Sequence, residues 1–295
     1  MLIEKFIEYL QIEKKYSVNT LHAYKKDLAE FQEFIYENYD KYVIENVDYK
    51  VIRSWIVQLV KKNLSNRSIN RKVSSLKSFY KFLVKTDTIS SSPLIAHSPL
   101  KHSKKIQVPF SKDEIGALLD SDFFKNDYRG VLQKTIISFF YFTGVRRIEL
   151  INLKASDVNM NSKTIRVMGK RNKERIIPML PRLKESINEY LEIKTQKFNH
   201  KLHEHLFVSK SGIKLTEKYV YRTVNEYFKL VSPKVKKAPH VLRHSFATHL
   251  INEGADINSV KELLGHSSLS ATQVYSHTSM ERIKEVFKNS HPRAK

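Results

Sequence analysis

The sequence predicts a mainly α protein with a small β-sheet, built as two domains joined by a basic linker. Three observations predict it. Apolar residues recur at helical spacing through most of the chain, and the period drops to two only between Asp157 and Met179. The helical patterns also stop between residues 87 and 108, where SerSerSerPro at 90–93, ProLeu at 99–100 and HisSerLysLys at 102–105 supply linker chemistry just before Pro109. The expected division is therefore a helical domain over 1–86, a linker over 87–108, and a mixed domain over 109–295 that ends in a tail helix.

In chain order, Leu2, Phe6, Tyr9 and Leu10 mark a first helix, and Leu21, Tyr24, Leu28, Phe31 and Ile35 a second. Ser17 and Asn19 offer the turn and N-cap between them. Val51, Ile52, Trp55, Ile56 and Leu59 mark a third helix. Ile69, Val73, Leu76, Phe79, Tyr80 and Leu83 mark a fourth, which also carries Arg67, Arg71, Lys72, Lys77 and Lys81. Cations on a helix with an apolar opposite face suit either a nucleic-acid backbone or plain solvent. Lys104 and Lys105 in the linker are further candidates for phosphate contact.

The second domain opens with a capping box, Ser111 and Glu114, ahead of Ile115, Leu118 and Leu119. Leu132, Ile136, Phe139 and Phe140 predict a buried helix ending at Gly144. Arg146 and Arg147 then start another helix through Leu150 and Leu153, with Glu149 one turn on and able to orient Arg146. Ile165 and Val167 lie on one strand and Ile176 starts a second, with residues 169–174 as a basic hairpin loop that sets Lys170 beside the turn glycine. A helix over Leu183 to Tyr190, a His- and Lys-rich connection at 194–205, LeuPheValSer at 206–209 ahead of a GlyIle turn, and a helix over Leu215 to Leu230 follow.

Composition narrows the function classes. Fifty-two Lys and Arg against 30 Asp and Glu in 295 residues give a net charge of +22. An excess of that size favours a polyphosphate partner, nucleic acid first and an acidic membrane surface second. With no cysteine, disulfides, thiolate metal sites and thiol nucleophiles are excluded. The acidic start of the chain does not read as a signal peptide, and Ile136 to Phe142 is far short of the ~20 residues that span a bilayer.

The chemistry concentrates between Ala238 and His277. Pro239 suits a helix start, so His240 and Arg243 fall one turn apart on one face, opposite Leu242, Phe246 and Leu250. A helix over Ile257 to Leu264 ends at Gly265 and presents His266, and Tyr275 follows. Cations, proton-passing imidazoles and a phenol together suit a phosphate group under attack. Each residue alone has an ordinary reading: a core imidazole, a surface salt bridge, one of 15 tyrosines. The joint pattern is far harder to reach by chance. His240 and His244 are spaced like metal ligands, but no acid completes a zinc-hydrolase motif.

These residues resemble the tyrosine recombinase (phage integrase) family, most closely its Xer-type members. The matching stretches are SerValAsnThr 17–20, Tyr24, AspLeu 27–28, Arg71 to Leu83, ThrGlyValArgArgIleGluLeu 143–150, GlyLysArgAsnLysGluArg 169–175, the run from Pro239 to Leu250, LeuLeuGlyHisSer 263–267 and ThrGlnValTyrSerHis 272–277. The resemblance implies a SAM-like core-binding domain and a mixed α/β catalytic domain closing as a C-shaped clamp on double-stranded DNA. It implies a catalytic set of Arg146, Lys170, His240, Arg243, His266 and the nucleophile Tyr275, with Glu149 behind Arg146 and no metal or other cofactor. DNA-backbone contacts are expected from Arg67, Arg71, Lys72, Lys77, Lys104 and Lys105.

The implied activity is cutting and rejoining of DNA through a 3′-phosphotyrosyl link, used to resolve chromosome dimers at a dif-like site. The alternatives are a mobile-element integrase or an inactive DNA-binding protein. The implied setting is cytoplasmic and nucleoid-associated, in a homo- or hetero-tetramer with a septal DNA translocase (FtsK-like) as a further partner. In relatives the tail, through Ile283, Val286 and Phe287, docks on a neighbouring subunit; packing on its own domain is the other option. Arg147 stands where relatives carry a smaller or apolar residue.

Overall fold

A computed structural model of the chain describes residues 2–39, 43–101, 107–169, 173–199, 203–234, 237–265, 287 and 289–293. The chain forms two compact units, Met1–Lys105 and Ile106–Lys295, each with its own hydrophobic core.

The first unit consists of α1 (Leu2–Ile12), α2 (Val18–Asn38), α3 (Tyr49–Lys61) and α4 (Asn66–Lys85). Polar residues start three of them: Ser17, Asp48 and Ser65 accept the N–H groups of Thr20, Val51 and Ser68. Phe6, Phe31, Trp55, Phe79 and Tyr80 are almost fully buried between the helices, and the Tyr80 hydroxyl donates to the Ile44 carbonyl at 2.8 Å. The stretch read as a linker begins inside this unit. Leu94 is 1% exposed in its core, and the Asn70 amide clamps Leu100 through both its N–H (2.9 Å) and its carbonyl (2.8 Å). An Asn side chain placed this way mimics a strand edge, so the segment docks without regular structure of its own.

In the second unit, α5 (Lys112–Leu119) carries the expected Ser111–Glu114 capping box. The axis of the unit is α6 (Tyr128–Thr143), buried along nearly its whole length and packed on α8 (Pro181–Lys197), α9 (Glu217–Val231) and α10 (Pro239–Asn252). It ends at Gly144 in the left-handed conformation (φ 60°). Only glycine fits there, because a Cβ would meet the Phe246 ring at 2.4 Å and Leu264 at 2.9 Å. Then come α7 (Arg147–Asn152), a short 3-10 turn and a three-stranded antiparallel sheet, β1 (Val158–Asn159), β2 (Thr164–Met168) and β3 (Glu174–Pro178), in that spatial order. Ile165 pairs with Ile177 and Val167 with Arg175 on the core-facing side. Helix α10 is followed by α11 (Ile257–Leu264).

Helix α8 runs to Lys197, past the expected end near Tyr190. Lys194, read as part of a connection, buries its stem and donates to the carbonyls of His205 (3.0 Å) and Leu206 (2.8 Å). Burial lowers its pKa to about 8. Of the tail, Phe287 is 1% exposed in this unit's own core, with His291 buried among the rings of Tyr141, Phe142, Phe246 and Phe287. The described tail residues therefore pack on their own domain, while Ile283 and Val286 lie outside the described residues.

Candidate active site

Three guanidinium groups meet at the C-terminal end of α11. A helix end leaves its last carbonyls without partners. Here three consecutive ones are each taken by a different arginine: Leu263 by Arg175 Nε at 2.8 Å, Leu264 by Arg243 Nη2 at 2.6 Å, and Gly265 by Arg146 Nη2 at 3.1 Å. The partial negative charge of a helix C-terminus suits them. Arg243 reaches this point from the first turns of α10 and also donates from Nη1 to the Gly144 carbonyl. Arg146 is the N-cap residue of α7. Gly265 holds the turn in the left-handed region (φ 64°), and His266 is the next residue in the chain.

Glu149 lies beneath the cluster with its side chain 3% exposed. It accepts from the Arg146 N–H at 2.8 Å and from Arg146 Nη1 at 2.7 Å. It also accepts the Arg175 fork, at 3.1 and 2.7 Å. Burial alone would raise its pKa; the bonds from Arg175 and Arg146 outweigh that and hold it below the usual carboxylate value. Burial, then the neighbouring Arg146 charge, bring Arg243 down to about 10, so it stays protonated at neutral pH. Three guanidiniums against one carboxylate leave a local excess of positive charge, which can bind and neutralise an anion such as a phosphodiester.

The structure thus brings Arg146, Glu149 and Arg243 together, with His240 exposed on the first turn of α10. Lys170, His266 and Tyr275 lie outside the described residues, as do Lys104 and Lys105. Arg147 pairs with Glu217 at the start of α9, tying two helix N-termini together.

Among the DNA-backbone candidates, Arg67, Arg71 and Lys77 are exposed on α4, as is Lys81. Lys72 is a correction. It is 7% exposed on the core side of the helix and bound to Asp27 (3.3 Å) and Glu30 (2.6 Å), so its charge is already taken up inside the unit. Asp27, itself 1% exposed, also takes the Arg71 fork (2.5 and 2.8 Å) and the Ser75 hydroxyl (2.8 Å).

The residue that the sequence reading missed is Arg175. A signal was present. On β3, Arg175 and Ile177 alternate with Glu174 and Ile176, so Arg175 shares the inward face with Ile177. A cation at an inward strand position has to find a buried carboxylate.

The class of protein to which this fold belongs is that of the phage integrases. The chain matches the Phage integrase family over residues 110–282 and the N-terminal SAM-like domain of phage integrases over residues 3–87. It belongs to that family, the tyrosine recombinases. Among its relatives, tyrosine recombinase XerC of Anoxybacillus flavithermus is 39% identical over 98% of this chain and 97% of the relative. Tyrosine recombinase XerD of Staphylococcus epidermidis is 34% identical over 99% of both. The fold is shared with the XerH site-specific recombinase in its post-cleavage complex with palindromic difH substrate, at a TM-score of 0.72 and 23% identity, covering 97% of this chain and 83% of that one. It is shared also with the Tn1549 transposon integrase bound to transposon right-end DNA, at a TM-score of 0.70 and 20% identity, covering 96% and 99%.

Proposed function

We propose that this chain is a site-specific tyrosine recombinase that cuts and rejoins double-stranded DNA through a 3′-phosphotyrosyl intermediate. The observation that carries the reading is the convergence of Arg146 and Arg243 on the end of α11, one residue before His266. Tyr275 attacks the phosphodiester. A phenol with an ordinary pKa of about 10 needs a base as it attacks, and His240 serves. Arg146 and Arg243 hold the non-bridging oxygens and neutralise the charge that builds in the pentacoordinate transition state, with His266 donating a further hydrogen bond. Lys170 protonates the departing 5′-oxygen. The covalent link conserves the energy of the broken bond, so rejoining needs no ATP, and side-chain cations take the place of a metal ion.

The near-full-length similarity to proteins named XerC and XerD supports a Xer-type role. That role is resolution of chromosome dimers at a dif-like site, by four recombinase subunits on two DNA sites, in the cytoplasm, with an FtsK-like translocase as activator. Exposed Arg67, Arg71 and Lys77 contact the DNA backbone together with Lys104 and Lys105, and residues 1–86 and 109–295 act as the core-binding and catalytic domains. No described helix is long and apolar enough to cross a membrane.

A nicked suicide substrate tests this reading. Wild type forms a covalent adduct visible on a denaturing gel, unaffected by EDTA, and Tyr275→Phe does not. Arg243→Ala lowers the rate by about 100-fold or more while DNA binding is largely kept. An adduct that survives Tyr275→Phe sinks the nucleophile assignment.

A further inference from the structure

We infer that Arg175 is a positioning residue for the reaction, acting through Glu149 on Arg146; the inference rests on the recombinase reading above. The side chain of Arg175 is 4% exposed, on a strand position that faces Val167 and would fold with an apolar residue. A buried arginine–carboxylate pair adds little stability over an apolar replacement of the same volume. What the pair supplies here is geometry. The Arg175 fork binds both oxygens of Glu149, and the same two oxygens receive the main-chain N–H and Nη1 of Arg146. Glu149 is therefore held by Arg175 and in turn holds Arg146. With its fork engaged, Arg175 still donates Nε to the Leu263 carbonyl, and its Cδ would lie 3.2 Å from a Cβ at residue 265. One side chain thus fixes the carboxylate that aims Arg146 and also the helix end whose next carbonyls receive Arg243 and Arg146.

Without Arg175, Glu149 keeps a single guanidinium partner and can swing with it. Arg146 then no longer meets the phosphate at a fixed angle. A misplacement of about 1 Å in such a site costs on the order of 100-fold in rate.

The test uses the full-length protein and two suicide substrates, one with an ordinary scissile phosphate and one with a methylphosphonate, which lacks the charge that Arg146 neutralises. On the phosphate, Arg175→Met forms covalent adduct at least ~10-fold more slowly than wild type, and DNA affinity stays within about 3-fold. On the methylphosphonate, the gap between the two proteins shrinks to about 3-fold or less, as it also does for Arg146→Ala. Arg175→Lys keeps a charge for Glu149 without the fork and falls between them; it carries the same comparison if Arg175→Met does not fold. An unchanged rate on the phosphate overturns the inference, and so does an equal gap on both substrates, the mark of a merely structural role. If wild type forms no adduct, or Arg146→Ala matches wild type on the phosphate, the recombinase reading itself is what fails.

Discussion

Lys72 and Arg175 are basic residues set among apolar neighbours, and both are buried against a carboxylate. In the sequence Lys72 sits beside Arg71 on a helix rich in cations, so the two read as one basic face. The helical phase separates them. Ile69, Lys72, Val73 and Leu76 follow the i, i+3, i+4, i+7 spacing of a core stripe, as Tyr24, Asp27, Leu28 and Phe31 do on α2. Two opposite charges at core positions on two adjacent helices form a buried pair in outline, legible only when both helices are read together. The two residue types therefore separate by experiment. Arg67→Ala should lower the salt dependence of DNA binding by about one unit of log–log slope with stability unchanged. Lys72→Ala should leave that slope alone and destabilise the fold by about 2 kcal/mol, because Asp27 and Glu30 lose a shared cation while Asp27 keeps Arg71 and Ser75. A Lys72→Ala protein of normal stability and reduced slope would return Lys72 to the outer face.

Most elements of the second unit follow the sequence pattern closely. The Ser111 capping box, the Gly144 stop and the span from Ile257 to Leu264 were all readable, because each is set by local backbone chemistry. What pattern could not give was set by contacts distant in sequence: the extension of α8 through Lys194, and the fate of the tail. His291 shows the energetic consequence. Its Nε2 faces the Tyr141 carbonyl at 3.3 Å and its Nδ1 accepts the Arg293 N–H at 3.2 Å, which is the bonding of a neutral ring. Burial lowers its pKa to about 4, with His249 and Arg293 adding to the shift. Because the folded value lies below the unfolded one, the unfolded chain takes up the proton first on acidification. The contribution of His291 should therefore be full above pH 6.5, decline by about 3 kcal/mol as pH falls toward 4, and level off below, where the loss from carboxylates with lowered pKa such as Glu149 takes over. His249, also lowered by burial, adds to the same trend. Urea unfolding at pH 7.5, 5.5 and 4.5 reads this directly. His291→Gln should flatten the profile, and an equally steep profile in that variant would exclude His291 as its source.

At the scale of the whole molecule, two separate cores mean two units able to fold separately. The proposed catalytic set is named from short motifs, of which the described residues include Arg146, His240 and Arg243, whereas the seam between the units was blurred by Leu94 and the Asn70 clamp. Pro and Ser composition marks a break in helix, not a break in packing. A fragment of residues 1–105 should unfold cooperatively by circular dichroism. One cut at residue 86 should be less stable by about 2 kcal/mol or more, since Leu94 leaves the core. Equal stability of the two fragments would show that the segment contributes nothing to the first unit.

On α11 itself the three arginines grip main-chain oxygens and none of the helix's side chains. Point substitutions at Leu263 or Leu264 leave those acceptors in place, so this grip tolerates drift in amino-acid type. A single-residue insertion or deletion within α11 is another matter. It turns the helix end by about 100° and shifts it by about 1.5 Å, releasing all three arginines in one step. The length of that short helix is thus under tighter constraint than its composition.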